Sequence, residues 1–177
     1  MKYLFYRLDS YSKDQKKNIL LDEKFSAFLW KPRAFEIVPK GVSLLPFGIW
    51  WTMHYLKIFS NQDYSLYLIY DRNNLIHRSV ITPRYFRFPF MAKDDLQIGD
   101  TWTSSSYRGK GLATFAIQIA CQLHMKPGRR FWYLAEETNL PSMRAIEKAG
   151  FKKVGIGFRK KWIGMRILGT YEIQNQL

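Results

Sequence analysis

The stretch from Ser104 to Ala113, SSSYRGKGLA, ends an extended run and opens an amphipathic helix. Helix N-termini present unpaired N–H groups and a partial positive charge, so they hold phosphate well. Gly109 and Gly111 lack a side chain, which lets backbone N–H groups approach an anion closely. Arg108 and Lys110 add formal positive charge in the same turn. The loop has neither the G-x-x-x-x-G-K-[ST] spacing of a nucleotide P-loop nor the G-x-G-x-x-G dinucleotide fingerprint. Taken alone, it reads equally as a phosphate cradle or as a glycine turn with incidental basic residues.

Downstream, Leu112, Phe115, Ala116, Ile119, Ala120 and Leu123 recur at helical spacing and form one apolar stripe that faces a sheet. Pro127-Gly128 ends that helix, and Phe131 to Ala135 (FWYLA) reads as a buried strand. A short helix is expected from Leu140 to Ala149. Pro141 sits in its first turn, and Gly150 and Phe151 end it in a Schellman arrangement with Phe151 packed back on Ile146. Lys152–Arg159 and Met165–Ile173 read as closing strands.

Upstream, Leu66–Tyr70 and Leu75–Ile81 form a hairpin about the turn Asp71-Arg72-Asn73-Asn74. Leu96–Ser104 is a third extended run, with Gly99 as a bulge or a point of close approach. Tyr3–Leu8 reads as a first strand, and Ile19–Trp30 as a helix with Leu21, Phe25, Phe28 and Leu29 on one side. Pro32, Pro39 and Pro46 then break the chain. The segment Val42–Phe59, VSLLPFGIWWTMHYLKIF, is shorter than the roughly 20 apolar residues a membrane span needs. Pro46, Gly48, His54 and Lys57 interrupt it, so it reads as a buried or interfacial segment. The element order is that of a single α/β domain with a mixed sheet.

The chain has 177 residues and a formal net charge of +14. From Arg108 to Arg166, thirteen Lys or Arg face only Glu136, Glu137 and Glu147. Such an excess attracts phosphates, nucleic acid or an anionic membrane surface. The single cysteine, Cys121, excludes an internal disulfide framework and leaves no Cys cluster for zinc. It falls within a helix, which argues against a nucleophile. No metal site is expected. MKYLFYRLDS is too short and too polar in its apolar part for a secretory signal, and a cytoplasmic location is expected.

Two segments together resemble a known family. Arg108-Gly109-Lys110-Gly111-Leu112-Ala113 resembles the acetyl-CoA loop of the GNAT superfamily, Gln/Arg-x-x-Gly-x-Gly/Ala, with Arg108, Gly111 and Ala113 at its three fixed positions. Asn139-Leu-Pro-Ser142-Met-Arg-Ala-Ile146-Glu147-Lys148-Ala-Gly150-Phe151 resembles the family's Asn-x-x-Ser/Ala helix that ends in Glu-Lys-x-Gly-Phe. With a strand between them, the two identify the chain as a member of that superfamily over about residues 66–173. The resemblance implies a GNAT-like mixed central sheet flanked by helices. Residues 66–177 would form the acetyl-CoA-binding core, and 1–65 the N-terminal part of the same domain with acceptor-side helices.

The resemblance also implies roles. The backbone of Thr101, Trp102 and Thr103 would pair with the pantetheine arm. The N–H groups of Gly109, Lys110, Gly111, Leu112 and Ala113 would hold the pyrophosphate, assisted by the Arg108 and Lys110 side chains. Asn139 and Ser142 would lie along the pantetheine, although helix capping explains both as well. Many members carry a Tyr just before the Glu-Lys pair as general acid. This chain has Ile146 there, which leaves Tyr107, Tyr133 or solvent to protonate the leaving thiolate.

The implied chemistry is acetyl transfer from acetyl-CoA, as co-substrate, to a primary amine by direct attack in a ternary complex. A lysine-like amine has a pKa near ~10.4 and must lose a proton before it attacks. Asp100 and Glu136 are the candidate bases, with Glu137 beside the latter and His77 on the hairpin. Asp100 also reads as a polar group that faces solvent or pairs with Arg78. His54 and His124 have no partner suggested by the sequence.

The acceptor cleft is expected between 46–59, 78–90 and 159–166. Pro83–Phe90 and Phe158–Trp162 mix aromatic with basic residues there. That lining suits a small anionic acceptor such as a nucleotide-linked or polysaccharide-precursor amino sugar. A polybasic peptide fits poorly. Two other classes stay open: a GNAT-like acyl-CoA-binding module without catalysis, and a basic nucleic-acid-binding domain, which only charge and aromatics favour. Nucleic acid is not expected as a partner. Peripheral membrane association and a homodimer remain open.

Overall fold

Short runs of branched and aromatic residues build one eight-stranded sheet in the computed structural model, which describes residues 1–9, 22–162 and 165–176. In chain order the elements are β1 (Lys2–Leu8), β2 (Phe25–Trp30), α1 (Leu44–Tyr55), β3 (Ser65–Asp71), β4 (Asn74–Pro83) and β5 (Leu96–Thr103). A 3-10 turn (Ser105–Tyr107), α2 (Leu112–Leu123), β6 (Phe131–Glu136), α3 (Leu140–Lys148), β7 (Lys152–Trp162) and β8 (Met165–Gln176) follow. The strands lie in the order β2-β3-β4-β5-β6-β1-β7-β8. Among the described strands only β5 and β6 run parallel, joined by the crossover helix α2. The chain is thus a single α/β domain with a mixed sheet flanked, among the described residues, by three α-helices.

The first strand in sequence lies well inside the sheet. β1 pairs antiparallel with β6 on one side and with β7 on the other. Pairing covers both its edges; Leu4, Tyr6 and Leu8 are buried in the core on one face, and Phe5 is buried against Phe90 at 5.2 Å on the other.

The two faces of the sheet carry different cores. Under α2 and α3 lies a mainly aliphatic core that includes Ile69, Ile81, Leu96, Ile98, Ile117 and Ile146. Under α1 lies an aromatic core that includes Trp30, Phe47, Phe59, Tyr64, Tyr85 and Trp132.

The helix expected over Ile19–Trp30 is corrected where it is described. Phe25–Trp30 is the edge strand β2, paired with β3. Its apolar residues alternate between faces: Phe25, Ala27 and Leu29 pack on the aliphatic core, while Phe28 stacks on Tyr70 at 5.6 Å on the other side. Residues 19–21 lie outside the described residues. Within Val42–Phe59 the ordered element is α1, with Phe47 and Met53 buried. Among the described residues no helix is long and apolar enough to cross a membrane. The closing strands run past their expected ends, to Trp162 and Gln176.

At the third expected strand, two adjacent residues share the irregularity. A Cβ on Gly99 would run into the Gln97 side chain, so Gly99 is a point of close approach. The bulge itself falls on the next residue: the β4–β5 register shifts between Arg78 and Val80, and Asp100 adopts φ +40°.

Candidate functional site

The sheet opens into a wedge at its one parallel pair. β5 and β6 are in register only at Leu96↔Phe131, Gln97↔Trp132 and Ile98↔Tyr133. Beyond Ile98, β5 stays with β4 and β6 stays with β1. The bulge at Asp100 adds twist where the strands part. Thr101–Thr103 are therefore left with one backbone edge free of strand pairing.

That free edge borders a cleft of about 660 Å³. Ten of the eleven residues expected at the cofactor line it: Thr101 to Thr103, Arg108, Gly109, Gly111 to Ala113, Asn139 and Ser142. Lys110 does not. Its ammonium lies 5.0 Å from the centre of the Tyr107 ring and lines a neighbouring hollow with Lys24 and Arg72. Cation–π attraction to the ring accounts for that placement.

The turn into α2 is built by its glycines. Gly109 and Gly111 have φ +76° and +78°, a region that costs other residues energy, and Gly111 is the N-cap. A Cβ at either position would meet no neighbour within 4 Å. The first helical bond is Phe115 N–H to Gly111 O at 3.0 Å, so the amides of Leu112, Ala113 and Thr114 lack helical partners. No described side chain caps them. The Thr114 hydroxyl instead donates to Ala145 O at 3.3 Å. Arg108 Nε donates to Thr103 O at 3.1 Å and ties the turn to the end of β5.

α3 forms the other wall. Asn139 Oδ1 accepts the Ser142 N–H at 3.2 Å, so Asn139 caps α3. The helix ends with Phe151 N–H on Ile146 O and Gly150 N–H on Glu147 O, and Gly150 has φ +99°. Both bonds of a Schellman ending are present. Ile146 is fully buried in the aliphatic core, so its position offers nothing to the cleft. Tyr133, at the apex of the wedge, does line the cleft, and its hydroxyl lies 2.8 Å from Ser142 Oγ.

Beneath Thr101 and Thr103 runs a buried polar chain. Thr103 Oγ1 lies 2.8 Å from His77 Nδ1, His77 Nε2 lies 3.0 Å from Ser79 Oγ, and Ser79 Oγ lies 3.3 Å from Thr101 Oγ1. Burial, with a smaller effect from the Arg78 charge, pushes the His77 pKa down to about 3. His77 is therefore neutral at pH 7 and a poor proton acceptor, which corrects its standing as a candidate base. Its place is structural, holding the Thr103 hydroxyl at the cleft floor and the buried Ser79 hydroxyl beneath it. The sequence offered no signal for this chain, because its members come from two strands paired only by register.

The candidate carboxylates lie on the opposite, aromatic face. Asp100 Oδ2 accepts from Arg78 Nη2 at 3.1 Å and Nε at 3.2 Å, the ion-paired alternative raised from sequence. The Arg78 guanidinium in turn lies 5.2 Å from the Phe47 ring and 5.4 Å from the Trp102 ring. Glu136 is half-buried at the end of β6, opposite Tyr3 of β1. The Tyr3 pKa is raised to about 12 by burial first, then by Tyr171, with Glu136 adding to it. Glu137 is taken by Lys2 at 2.9 Å. Asp100 and Glu136 thus stand on the two lips of the wedge, one per diverging strand.

Other expected residues are structural. Cys121 is buried, and burial raises its pKa well above that of a free thiol, as suits an inert side chain. His124 lies between Ser65 Oγ at 3.0 Å and Ala120 O at 2.9 Å. In the expected acceptor stretch 83–90, Tyr85 and Phe88 fill the aromatic core while Phe86 is exposed. Phe158 is exposed as well, and side chains from 161 to 166 lie outside the described residues.

Comparison with known proteins bears on this geometry. The model of the acetyltransferase (GNAT) family matches residues 28–151. Among solved structures, a putative acetyltransferase of the GNAT family from Novosphingobium aromaticivorans has 15% identity and a TM-score of 0.53 over 88% of this chain and 61% of its own. A GNAT-family acetyltransferase from Colwellia psychrerythraea has 14% identity and a TM-score of 0.53 over 86% and 52%. A tandem GNAT protein from the clavulanic acid biosynthesis pathway has 15% identity and a TM-score of 0.56 over 86% and 50%. Likeness at such identity concerns the fold alone, and the chain spans 50% to 61% of the length of these proteins. No curated protein matches the sequence.

Proposed function

The chain belongs to the GNAT family of acetyltransferases, and on that premise we propose that it moves an acetyl group from acetyl-CoA to the primary amine of a small anionic acceptor. The observation that carries this reading is the wedge: a strand edge free of pairing leads into a helix start whose amides have no partner among the described residues. An extended, amide-bearing arm ending in a diphosphate matches both features. The amides of Leu112, Ala113 and Thr114 would hold the diphosphate, and the Thr101–Thr103 edge would pair with the arm. Acetyl-CoA supplies the thioester.

Around that thioester, the residues divide the proton work. The amine nitrogen bonds to the carbonyl carbon, the C–S bond breaks, and the amine loses a proton while the thiolate gains one. Tyr133 is the donor best situated for the thiolate, since its hydroxyl lines the cleft at the apex and can be resupplied through Ser142 Oγ. Asp100 and Glu136, on the two lips, are the groups to receive the amine's proton, directly or through water. On the acceptor side, Arg78 between Phe47 and Trp102 offers a cation framed by aromatic faces. That suits a phosphate-bearing sugar or nucleotide, and a nucleotide-linked amino sugar combines both.

Titration calorimetry with acetyl-CoA, followed by thiol release across a panel of amino sugars, nucleotide-linked amino sugars and basic peptides, tests the proposal. Saturable binding and release with an anionic amino sugar are expected. Absence of heat with acetyl-CoA overturns the reading. Binding without release to any amine selects the second reading, an acyl-CoA-binding module without catalysis. The pairing of Asp100 with Arg78 favours that second reading.

A further inference from the structure

We propose that the outward face of α1 docks on an anionic lipid surface. α1 is apolar on both sides. Its inner side is anchored by Phe47 and Met53 in the aromatic core, with Trp50 edge-on to Phe47 at 5.3 Å. A surface helix ordinarily turns polar residues outward. Here Leu44, Leu45, Ile49 and Leu56 are 60%, 80%, 58% and 66% exposed. Leu45, Ile49, Thr52 and Leu56 follow one another at spacings of four, three and four, so they share one face. Thr52, the one polar member, turns its hydroxyl inward to Gly48 O at 2.9 Å.

The patch continues beyond the helix. The Ile37 side chain comes within 3.9 Å of where a Cβ on Gly48 would stand, and Ile58 is exposed just after the helix. Contiguous exposed apolar surface of this kind marks a docking site.

Charge decides the occupant. No Asp or Glu occurs from Ile37 to Gln62, while Lys40 and Lys57 flank α1 and are exposed. An apolar face with lysines at its rim is the arrangement of helices that lie in the headgroup region of anionic bilayers. A second copy is disfavoured, because two chains of net charge +14 repel each other. Phe47, on the inner side of the same helix, lies under Arg78. A lipid surface on α1 would therefore sit on the side of the molecule that carries Arg78 and Asp100. The inference stands apart from acyl transfer, because binding is read without turnover.

The test is co-sedimentation of the whole chain with phosphatidylcholine vesicles, with and without phosphatidylglycerol. It is repeated with the double variant Leu45→Gln/Ile49→Gln. These side chains are exposed, so circular dichroism and Tm should match the parent. The expected result is binding to the anionic vesicles, a blue shift of tryptophan fluorescence, and a loss of partitioning of about tenfold or more in the double variant. Unchanged vesicle binding by the double variant would mean that diffuse charge does the work, and would overturn the proposal. So would failure of the parent to sediment with anionic vesicles. A dimer in light scattering that the double variant abolishes, without vesicle binding, would assign the face to a second copy instead.

Discussion

The α2–α3 side and the α1 side of the sheet present their polar groups in opposite ways. On the first, the candidate ligand groups are main-chain amides at a glycine turn and the free edge of a strand, set in an aliphatic frame. On the second, they are side chains: Arg78, Asp100 and Glu136 among aromatic rings. A backbone site constrains sequence tightly, because only certain residues tolerate its dihedrals. A side-chain site constrains it loosely, because many combinations give a basic aromatic surface. The first side should therefore fail sharply when altered, and the second by degrees.

The sharpest failure should come from Gly111→Glu. A Cβ there meets no atom within 4 Å, so the first side-chain atom makes no clash in the fold. It would project a carboxylate at the amides of Leu112–Thr114, and φ +78° adds a strain of about 1–2 kcal/mol. Calorimetry should show acetyl-CoA affinity lowered by roughly 100-fold or more, about 2.7 kcal/mol, with the far-ultraviolet circular dichroism of the parent. Unchanged affinity would place the diphosphate elsewhere and undo the contrast at its root.

Tyr133→Phe should come next. It removes one hydroxyl at the apex and leaves the ring that packs in the aliphatic core. Loss of a general acid costs on the order of 100-fold in kcat, while affinity for acetyl-CoA should hardly move. An equal fall in affinity and rate would make Tyr133 a binding residue. An unchanged rate would return thiolate protonation to solvent.

That asymmetry also governs what was legible from the sequence. Gly109, Gly111 and Gly150 hold positive-φ positions that few other residues fill, and Asn139 caps α3 through its side chain. The loop alone reads equally as a glycine turn, and the cofactor side becomes legible only through the resemblance of both segments to the GNAT family. Strands β3 to β7 were legible because their apolar runs are bounded by turn residues. β2 was misread as a helix because Phe25, Phe28 and Leu29 recur at helical spacing, whereas in the strand Phe25 and Leu29 share one face and Phe28 takes the other, a division that pairing with β3 fixes. The interior place of β1 was invisible, since the strand order depends on partners more than a hundred residues away. The His77–Thr103 contact was hidden because it depends on the register between β4 and β5.

His77 makes the cleft side break on a pH axis. Its folded pKa of about 3 lies below the unfolded value near ~6.5. Below pH ~6.5 the unfolded chain therefore takes up a proton that the folded chain refuses. The associated stability is complete above that pH and is lost as pH falls toward about 3, at roughly 1.4 kcal/mol per unit. Urea unfolding at pH 7, 6 and 5 should show a steeper loss in the parent than in His77→Gln, by about one proton's worth of slope. Equal slopes would mean that His77 titrates normally and is not sealed beneath Thr101 and Thr103.

Asp100→Asn should have the mildest effect, and its form is the most informative. If Asp100 takes the amine's proton, kcat should fall and the pH–rate profile should shift, since an amide cannot accept that proton. If Asp100 only anchors Arg78, the amide oxygen still accepts a hydrogen bond, and the change should fall on the acceptor KM as Arg78 loosens. The pair is partly exposed, with side-chain accessibilities of 22% and 43%, so water already screens it. A change of about threefold to tenfold is expected, roughly 0.7–1.4 kcal/mol. A drop in kcat rescued at higher pH would place the base on the β5 lip. A pure KM effect would leave Glu136, on the β6 lip, as the remaining carboxylate, and Glu136→Gln should then carry the kcat loss that Asp100→Asn lacks.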